Sequence, residues 1–462
     1  MRKISILLVA AMLAFGLVSQ AGAAVKFNAS GHWRVLFNFN HDTDFNDENT
    51  EDTFTGSNRI RILFSAEANE FVKGSWEFQA GQWVWGSGQN SPSYNITTNT
   101  YTAGGGAPLD TASENFKTRL AWLTVKIPNT PLTVNSGIQQ LNLPGAVAGN
   151  PIFANRVAGV SAVAKVTDDV SLTAFWARPY YNTAGNANHN SVDFFGLIAG
   201  IKVASVSISP YYVYGNAGND SFGGGTFPAA QPWAGGNLDE DTDFHIVGLA
   251  LTANPTPELA VKLDAIYGAA KNDSSGSINA AAPGTRFRDF DTKGFFLALG
   301  VDYKLGFGTP GLVAWYSSGM DDDGDGVIPS FNSGGNGFAP TRLGTAGGNN
   351  LWTGYNAITG TGVGTYGIGL QVKDIKTADK LSHVFRAFYI KGTNDEKYGE
   401  WGDYKGLDED LSFFELNFDS VYQLVDNLQV KLDLGYIIPH DSGDDDDLDD
   451  GFNARLWLSF DF

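Results

Sequence analysis

The sequence contains no cysteine, which excludes disulfide bonds, thiolate metal sites and cysteine nucleophiles. Its six histidines are scattered, and neither a His-Glu-x-x-His pair nor a Gly-x-Ser-x-Gly motif is present. Charged residues make up only 17% of the chain, the net charge is -20, and no basic cluster typical of nucleic-acid binding occurs. We therefore expect no enzymatic activity, no bound cofactor and no nucleic-acid partner.

Long apolar runs are equally scarce. The one such run, residues 4–18, follows two basic residues and precedes a small-residue site at 21–23, which is the pattern of a cleaved secretory signal. The alternative, an N-terminal membrane helix, would need about 20 apolar residues. We therefore predict that residues 1–23 are a signal peptide and that residues 24–462 form a single exported domain. No other segment is apolar enough for a membrane helix, so this domain can cross a membrane only with strands.

Apolar and polar residues alternate over long segments of the chain. In the first of these segments, Val25 to Phe39, every second residue is apolar or glycine and most residues between them are polar. Because successive side chains of a strand point to opposite faces, such a segment has one apolar and one polar face. Segments of about ten alternating residues recur to the C-terminus, as in transmembrane barrels. The predicted fold class is all-β, a transmembrane antiparallel β-barrel with short periplasmic turns and long outer loops.

The connections between these segments alternate between short and long. Nine long connections, each closing one hairpin, predict about 18 strands with both termini at the short-turn end. Sixteen strands is the alternative, because the segments 131–141 and 310–318 have weak patterns. Either number leaves a lumen too wide for side chains to fill, and therefore an aqueous channel. The long connections are predicted at 42–57, 86–115, 141–156, 181–190, 215–242, 269–292, 319–361, 393–409 and 440–451.

The last strand ends the chain on an aromatic residue. From Phe452 to Phe462 every second residue is aromatic or aliphatic, and polar residues such as Asn453 and Ser459 lie on the other face. The strand resembles the C-terminal strand of bacterial outer-membrane barrels. That resemblance implies that the barrel assembly machinery recognises Phe462, and that the last strand closes the barrel against the first.

Signal, strand pattern and terminal phenylalanine together resemble the trimeric porins over the whole mature chain. The glycine- and aspartate-rich composition is most similar to the homotrimeric porins of sulfate-reducing bacteria. The resemblance implies an outer-membrane homotrimer, surrounded by lipid and lipopolysaccharide, that passes small hydrophilic solutes by passive diffusion. A substrate-specific 18-stranded channel for a sugar or an oxyanion is the alternative. Candidates for the trimer contact, because they replace the aromatic residues expected against lipid, are Ala158, Val160, Ala162 and Ala164.

Basic residues recur on the polar faces of the early strands, where only Glu67 and Glu77 carry the opposite charge. A basic wall backed by a low-dielectric medium raises the local concentration of anions, so we expect a mild preference for small anions. Alternatively, these bases pair with lumen carboxylates such as Glu415 or Asp433 and set no selectivity. The predicted pore-lining residues are Arg34, Arg59, Arg61, Lys73, Lys117, Arg119, Arg386 and Arg455.

In the general porins, which the chain resembles, the third outer loop folds into the barrel and narrows it. The segment 142–156 is the positional match. It departs from the better-known general porins because it contains no acidic residue to face the bases of the opposite wall. The predicted residues of this constriction loop are Asn142, Pro144, Asn150, Phe153, Asn155 and Arg156.

The acidic residues are concentrated in four predicted loops, which hold 21 of the 50 acidic residues and a single base, Arg342. Asp321, Asp323 and Asp325 have the spacing of the first ligands of a calcium loop, but Asn332 stands where that loop needs a bidentate glutamate. We therefore expect a solvated acidic loop, and a weak Ca²⁺ or Mg²⁺ site is the alternative hypothesis. Divalent ions could also bridge the acidic loops to lipopolysaccharide.

Overall fold

The structure, a computed structural model, describes most of the predicted mature domain. The predicted signal peptide lies outside the described residues. Those residues are 25–41, 52–86, 93–95, 100–102, 106–107, 116–181, 191–218, 241–272, 290–321, 326–332, 337–342, 362–395, 408–442 and 448–462.

Eighteen long strands in the described part of the chain form the barrel. They are β1 (Lys26–His41), β2 (Thr53–Glu67), β3 (Val72–Trp85), β4 (Phe116–Lys126), β5 (Leu132–Asn142), β6 (Ala154–Lys165), β7 (Val170–Tyr181), β8 (Ser191–Val203), β9 (Val206–Ala217), β10 (Thr242–Ala253), β11 (Leu259–Asn272), β12 (Phe290–Tyr303), β13 (Thr309–Ser317), β14 (Thr365–Ala378), β15 (Leu381–Gly392), β16 (Leu411–Val425), β17 (Leu428–Asp441) and β18 (Gly451–Asp461). Between β3 and β4, Ser93–Asn95 pairs with Thr100–Thr102, and Gly106–Ala107 pairs in parallel with the end of β3.

The barrel is closed, because each strand pairs antiparallel with the next and β18 pairs with β1. Beyond the last ladder pair, the backbone N–H of Gly31 donates to the Phe462 carbonyl at 2.6 Å, and the Phe462 N–H donates to the Gly31 carbonyl at 3.0 Å. The predicted all-β barrel is therefore confirmed, with the larger of the two strand numbers. The two weakly patterned segments are strands β5 and β13.

The alternation of residues follows the two faces of the barrel wall. On β18, Leu456, Leu458 and Phe460 are exposed on the outside, whereas Asn453 and Ser459 are buried on the inside. Large apolar side chains are stable against lipid but are unfavourable in water. This outer face is therefore suited to a membrane rather than to aqueous solvent. Within the described residues, no helix is long and apolar enough to cross a membrane.

Short turns join the strands at one end of the barrel. Asn69, for example, accepts hydrogen bonds from the backbone N–H groups of Phe71 and Val72, which closes the β2–β3 turn. All nine longer connections lie at the other end. Two of these connections enter the barrel interior. They are L3, residues 143–153, and L7, residues 318–364, of which 318–321, 326–332, 337–342 and 362–364 are described.

The half of the β5–β6 hairpin that is nearer to L3 separates from β4. Pairing between β4 and β5 stops at Ala121 and Ile138, although β5 stays paired with β6 as far as Asn142 and Ala154. Gly137 lies at this point with a φ of 131°, and a Cβ there would lie 2.3 Å from the Ala121 carbonyl oxygen. Only glycine suits this position, and the bend directs the hairpin and L3 into the barrel.

L3 and L7 fill one side of the barrel interior with an apolar core. Leu143, Ile152 and Phe153 of L3 and Ile328, Phe331 and Phe338 of L7 are almost fully buried against the inner wall. Members of that wall include Phe194, Phe244, Ile246, Phe296, Trp315 and Phe388. We call this part of the interior, formed by the inner faces of β7–β15 with L3 and L7, the filled half.

Candidate functional site

The inner faces of β1–β4 bring five basic side chains onto one surface, which we call the basic wall. Its members are Arg34, Arg59, Arg61, Lys117 and Arg119. Arg34 on β1 lies directly opposite Arg59 on β2, and Lys117 on β4 lies opposite Gln79 on β3, which is also the partner of Arg61. Neighbouring strands are about 4.8 Å apart, so these cations occupy a compact patch four strands wide.

Most of the basic wall lacks acidic partners. Among the described residues, no carboxylate forms an ion pair with Arg34, Arg59, Arg61 or Lys117, and the Arg61 Nε donates instead to the Gln79 Oε1 at 2.9 Å. Arg119 alone is paired, with Glu77 at 2.9 Å. Within the described part of the chain, the positive charge of the wall is therefore largely uncompensated.

An aromatic side chain from β18 borders this wall. The Arg34 guanidinium lies over the Trp457 ring, 4.7 Å from its centroid, and the Arg455 guanidinium lies 5.6 Å from the same ring. Guanidinium planes stack well on indole rings, which fixes their orientation. Trp457 therefore holds Arg34 in place from the barrel seam.

L3 is anchored to the opposite wall by a buried carboxylate. Asp264 on β11, only 1% exposed, accepts hydrogen bonds from the backbone N–H groups of Ala146 and Val147 at 2.7 and 2.8 Å. Asn150 of L3 donates to the Tyr211 hydroxyl on β9 at 2.8 Å. These contacts hold L3 against the inner wall on the side of the interior opposite the basic wall.

L7 packs directly on L3. The Ala154 N–H donates to the Asn332 Oδ1 at 2.6 Å, and the Asn332 Nδ2 donates to the Asn150 carbonyl at 2.9 Å. Further along L7, the Ala339 N–H donates to the Ala148 carbonyl at 2.9 Å. The two loops thus form one inserted body rather than two independent flaps.

Arg342 fastens the far end of L7 to β16 and β17. Its guanidinium pairs with Asp419 at 3.0 Å and with Asp433 at 2.8 Å, and its backbone N–H donates to Glu415 at 3.1 Å. Burial acts to lower the pKa of Arg342, but the Asp433 and Asp419 carboxylates outweigh burial and raise its pKa above the ordinary value. Arg342 therefore stays charged, and the acidic side of the interior is neutralised beneath L7.

Aromatic rings and glycines complement each other on the filled half. The Phe338 ring lies between Phe296 and Trp315, with centroid distances of 4.9 and 5.4 Å. The Trp315 ring in turn lies over Gly367 of the next strand, where a Cβ would lie only 2.2 Å from it. Such packing leaves little room for solute on this side, whereas none of the described loop residues covers the basic wall.

Comparison with known proteins adds to this picture at the level of the fold. No protein-family model matches the chain, and no curated protein sequence matches it. Solved structures do match. Pseudomonas aeruginosa OpdL is 13% identical, with a TM-score of 0.54 over 95% of this chain and 99% of that one. Acinetobacter baumannii OccAB4 is 12% identical, with a TM-score of 0.54 over 94% and 98%. Pseudomonas aeruginosa OccK11 (OpdR) is 13% identical, with a TM-score of 0.53 over 94% and 96%.

The chain has the barrel fold of these proteins. At such low identity the likeness concerns architecture along almost the whole chain, and it carries no residue-by-residue correspondence.

Three predicted pore-lining bases lie outside the basic wall. Arg386 on β15 pairs with Asp419, and Arg455, 5% exposed, lies opposite Asp433 in the β17–β18 ladder. Lys73 pairs with Glu67 at 3.2 Å, close to the short-turn end of the barrel. These three bases are thus placed beside carboxylates, unlike most of the basic wall.

The segment predicted as the constriction loop is partly strand. Asn142 ends β5, and Asn155 and Arg156 belong to β6, because the β5–β6 ladder continues beyond the expected loop boundaries. Pro144, Asn150 and Phe153 lie in L3.

Arg156 is exposed on the bent part of the hairpin. It is close enough to Lys117, Arg119 and Arg61 to repel them electrostatically. Arg156 therefore adds to the charge of the basic wall from across the β4–β5 gap.

The predicted cation site falls largely outside the described residues. Asp321 is exposed where L7 begins, but Asp323 and Asp325 are not described. Among the described residues, no group of three or more histidines and carboxylates is arranged to hold a metal ion. A cation site on this loop stays a prediction.

The contribution of L7 was not predicted from the sequence. One signal could have found it: Arg342 is the single base in four acidic segments. An isolated cation in an acidic loop needs a carboxylate partner outside that loop whenever it becomes buried, and Asp419 and Asp433 are such partners.

Proposed function

We propose that this protein is a channel of a bacterial outer membrane, and that it passes small hydrophilic anions selectively rather than serving as a general diffusion pore. The closed barrel with an apolar outer face supports the membrane location. So do the predicted signal peptide and the terminal Phe462, through which the assembly machinery would insert the barrel. The barrels to which it is similar are outer-membrane porins.

The observation that carries the proposal is the difference in charge pairing between the two sides of the lumen. Lumen carboxylates that could have neutralised the early-strand bases are occupied elsewhere, since Asp419 and Asp433 pair with Arg342 beneath L7. Apart from the Arg119–Glu77 pair, the basic wall therefore faces the lumen without a compensating carboxylate among the described residues. A positive wall backed by low-dielectric protein and lipid concentrates anions and repels cations.

A narrowed lumen favours a selective channel over a general pore. L3 and L7 together fill the side of the barrel opposite the basic wall, and Asp264, which anchors L3, is only 1% exposed. Solutes then pass close to guanidinium groups instead of through a wide aqueous centre. We infer that charge and shape both affect passage.

Reversal potentials in planar bilayers test the proposal. With a KCl gradient across the membrane, the sign of the zero-current potential should indicate preference for chloride over potassium. Arg61→Gln should reduce that preference, whereas Lys126→Gln, at an exposed position where β4 ends, should leave it unchanged. Preference for cations by the unaltered protein, or no conductance at all, would contradict the proposal.

We further propose that the channel is a homotrimer, as in the homotrimeric porins of sulfate-reducing bacteria, with the β5–β6 face at the contact. Small residues on the outside of β6 support this, because Ala158, Val160, Ala162 and Ala164 replace the large side chains of other strands. The adjacent strand edges support it too, since β4 and β5 separate above Ala121 and Ile138 and backbone groups cannot remain unpaired against lipid.

Electrophoresis of unheated protein and native mass spectrometry test the trimer. Ala162→Trp should dissociate it, whereas Ala314→Trp, on the outer face of β13, should not. Three equal closure steps in single-channel records would agree with a trimer of pores. A monomeric native protein would rule out this assembly.

Acidic outer loops are a further part of the proposal. The aspartates near residue 321, and those in the loop before β18, would bind divalent cations weakly and bridge them to lipopolysaccharide. A chelator should then lower the melting temperature of the protein in lipopolysaccharide-containing vesicles. An unchanged melting temperature would remove this part of the proposal and leave the channel untouched.

A further inference from the structure

Two arginines of the basic wall face each other across a strand pair. Arg34 and Arg59 are register partners in the β1–β2 ladder. Directly opposed side chains have Cβ atoms about 4.5–5.5 Å apart, and like charges at this distance destabilise a sheet. An arrangement that costs stability and has no acidic partner is typical of a functional site.

The guanidinium groups at this point still have hydrogen-bonding capacity. The Nε of Arg59 is buried and has no hydrogen-bond partner. Arg61, two residues along β2, uses its Nε for Gln79 and retains its terminal N–H groups. An arginine fork binds the paired oxygens of a carboxylate or phosphate bidentately. Arg34, Arg59 and Arg61 therefore offer several donors to one oxyanion.

The amount of charge indicates the valence of that anion. The basic wall and Arg156 supply six cations, and Glu77 is the only carboxylate among the described residues that pairs with any of them. A monovalent anion would leave most of this charge uncompensated. An anion with two or more charges would bridge neighbouring guanidinium groups and screen their mutual repulsion.

We propose that Arg34, Arg59 and Arg61 form a binding site for a compact oxyanion that carries two or more negative charges, as phosphate and dicarboxylates do. This inference rests on the proposed function and names the class of solute that the channel selects. Trp457 is a positioning residue of the site, because its ring fixes the plane of the Arg34 guanidinium.

The other arginine cluster of the interior is unsuited to the same task. Arg342 and Arg386 both pair with Asp419, and Asp433 lies between Arg342 and Arg455. In that cluster the carboxylates of the protein already occupy the positions that an anionic solute would take. Binding of a multivalent anion is therefore specific to the basic wall.

Block of the chloride current by added anions measures anion binding at the site directly. Single-channel current in KCl is recorded at pH 8 while succinate, inorganic phosphate or acetate is added at matched ionic strength. Succinate and phosphate should reach half-block at concentrations at least about tenfold lower than acetate, a difference in affinity of one decade. If phosphate blocks better than succinate, the site prefers one compact anion. The reverse order indicates a dicarboxylate.

Variants assign the effect to these arginines. Arg59→Gln should bring the half-block concentrations of succinate and acetate within about threefold of each other, because one fork and one charge are lost. Arg59→Lys keeps the charge without the fork and should retain only part of the discrimination. Lys126→Gln should behave like the unaltered protein. The comparison of anions on the unaltered protein needs no variant and stands even if a substitution prevents assembly.

Equal block by acetate, succinate and phosphate would overturn the inference while leaving an anion-selective channel intact. Loss of the proposed function would be different, because the unaltered protein would then conduct nothing or would prefer cations. Discrimination that persists unchanged in Arg59→Gln would also overturn the assignment to these residues.

Discussion

The two sides of the barrel interior are built on opposite principles. On the filled half, inward side chains are aromatic and aliphatic, and L3 and L7 cover them. On the basic wall, inward side chains are charged and no described loop covers them. The same alternation of residues places both sets inside the barrel, so the strand pattern alone does not distinguish a packed surface from a solvated one.

Because of this difference, the filled half contributes mainly to stability and the basic wall mainly to ion selectivity. Apolar burial on the filled half contributes favourably in proportion to the area removed from water. The basic wall contributes repulsion instead, with Arg34 opposite Arg59. Substitutions on the filled half should therefore alter conductance and loop docking, whereas substitutions on the basic wall should alter ion preference.

The largest effect is expected at Phe338, which is fully buried between Phe296 and Trp315. Phe338→Ala should weaken the docking of L7 by about 3–5 kcal/mol, the usual cost of truncating a buried phenylalanine. Conductance and current noise should rise as L7 leaves the wall. Phe307→Ala, at a side chain 65% exposed in the β12–β13 turn, is the matched control. Unchanged conductance in Phe338→Ala would mean that L7 does not limit the pore.

Arg342 should have the next largest effect. Arg342→Ala leaves Asp433, which is 3% exposed, without this partner, and removing one member of a buried pair costs about 3–5 kcal/mol. We expect the lower end of that range, because the Arg342 side chain is 33% exposed. Protease cleavage within L7 should become faster and conductance should rise.

The rim pair Arg178–Asp193 provides a control for Arg342, because Arg178 is 40% exposed. Arg178→Ala should cost about 0–1 kcal/mol, as for other solvent-exposed ion pairs. Equal protease resistance of Arg342→Ala and the unaltered protein would show that the apolar core alone holds L7.

How far the sequence predicts this molecule differs between the two halves. Alternation with a period of two predicts the strands, the outer face and the basic residues of β1–β4, since those features depend on local pattern. The filled half depends on contacts such as Arg342 with Asp433, 91 residues apart. No local pattern encodes which loop meets which wall, so L7 was expected to be a solvated outer loop.

Boundaries of the third loop illustrate the same limit. Asn155 and Arg156 were predicted as loop residues because the segment 142–156 is the positional match to the third outer loop of the general porins, yet they continue the β6 ladder. Their strand pairing is stabilised by distant contacts, as when Asn155 donates to the Phe331 carbonyl at 2.6 Å. Tertiary contacts therefore extend β6 beyond the point at which the local sequence pattern predicts its end.

A smaller effect is expected at Asp264, which anchors L3. Asp264→Asn keeps one acceptor but places an amide donor against a backbone N–H, so it should cost about 1.5–3 kcal/mol, the value of a hydrogen bond to a charged group. Current noise should increase without a change in ion preference. Asp302→Asn is the control, because Asp302 pairs with Lys262 and Lys373 and makes no contact with L3 through its carboxylate. A changed ion preference in Asp264→Asn would show that L3 also sets the charge of the pore.

The smallest effect, and the sharpest test of the contrast, is expected at Glu77, the carboxylate within the basic wall. Glu77→Gln removes the partner of Arg119 and should increase the preference for anions. The increase should not exceed about fivefold, because a unit charge at about 4 Å in water contributes only about 1 kcal/mol. Reversal potentials measure it, with Glu67→Gln as the control beside Lys73. If Glu77→Gln instead lowers anion preference, Arg119 needs its partner to point into the lumen, and geometry rather than net charge determines what the basic wall selects.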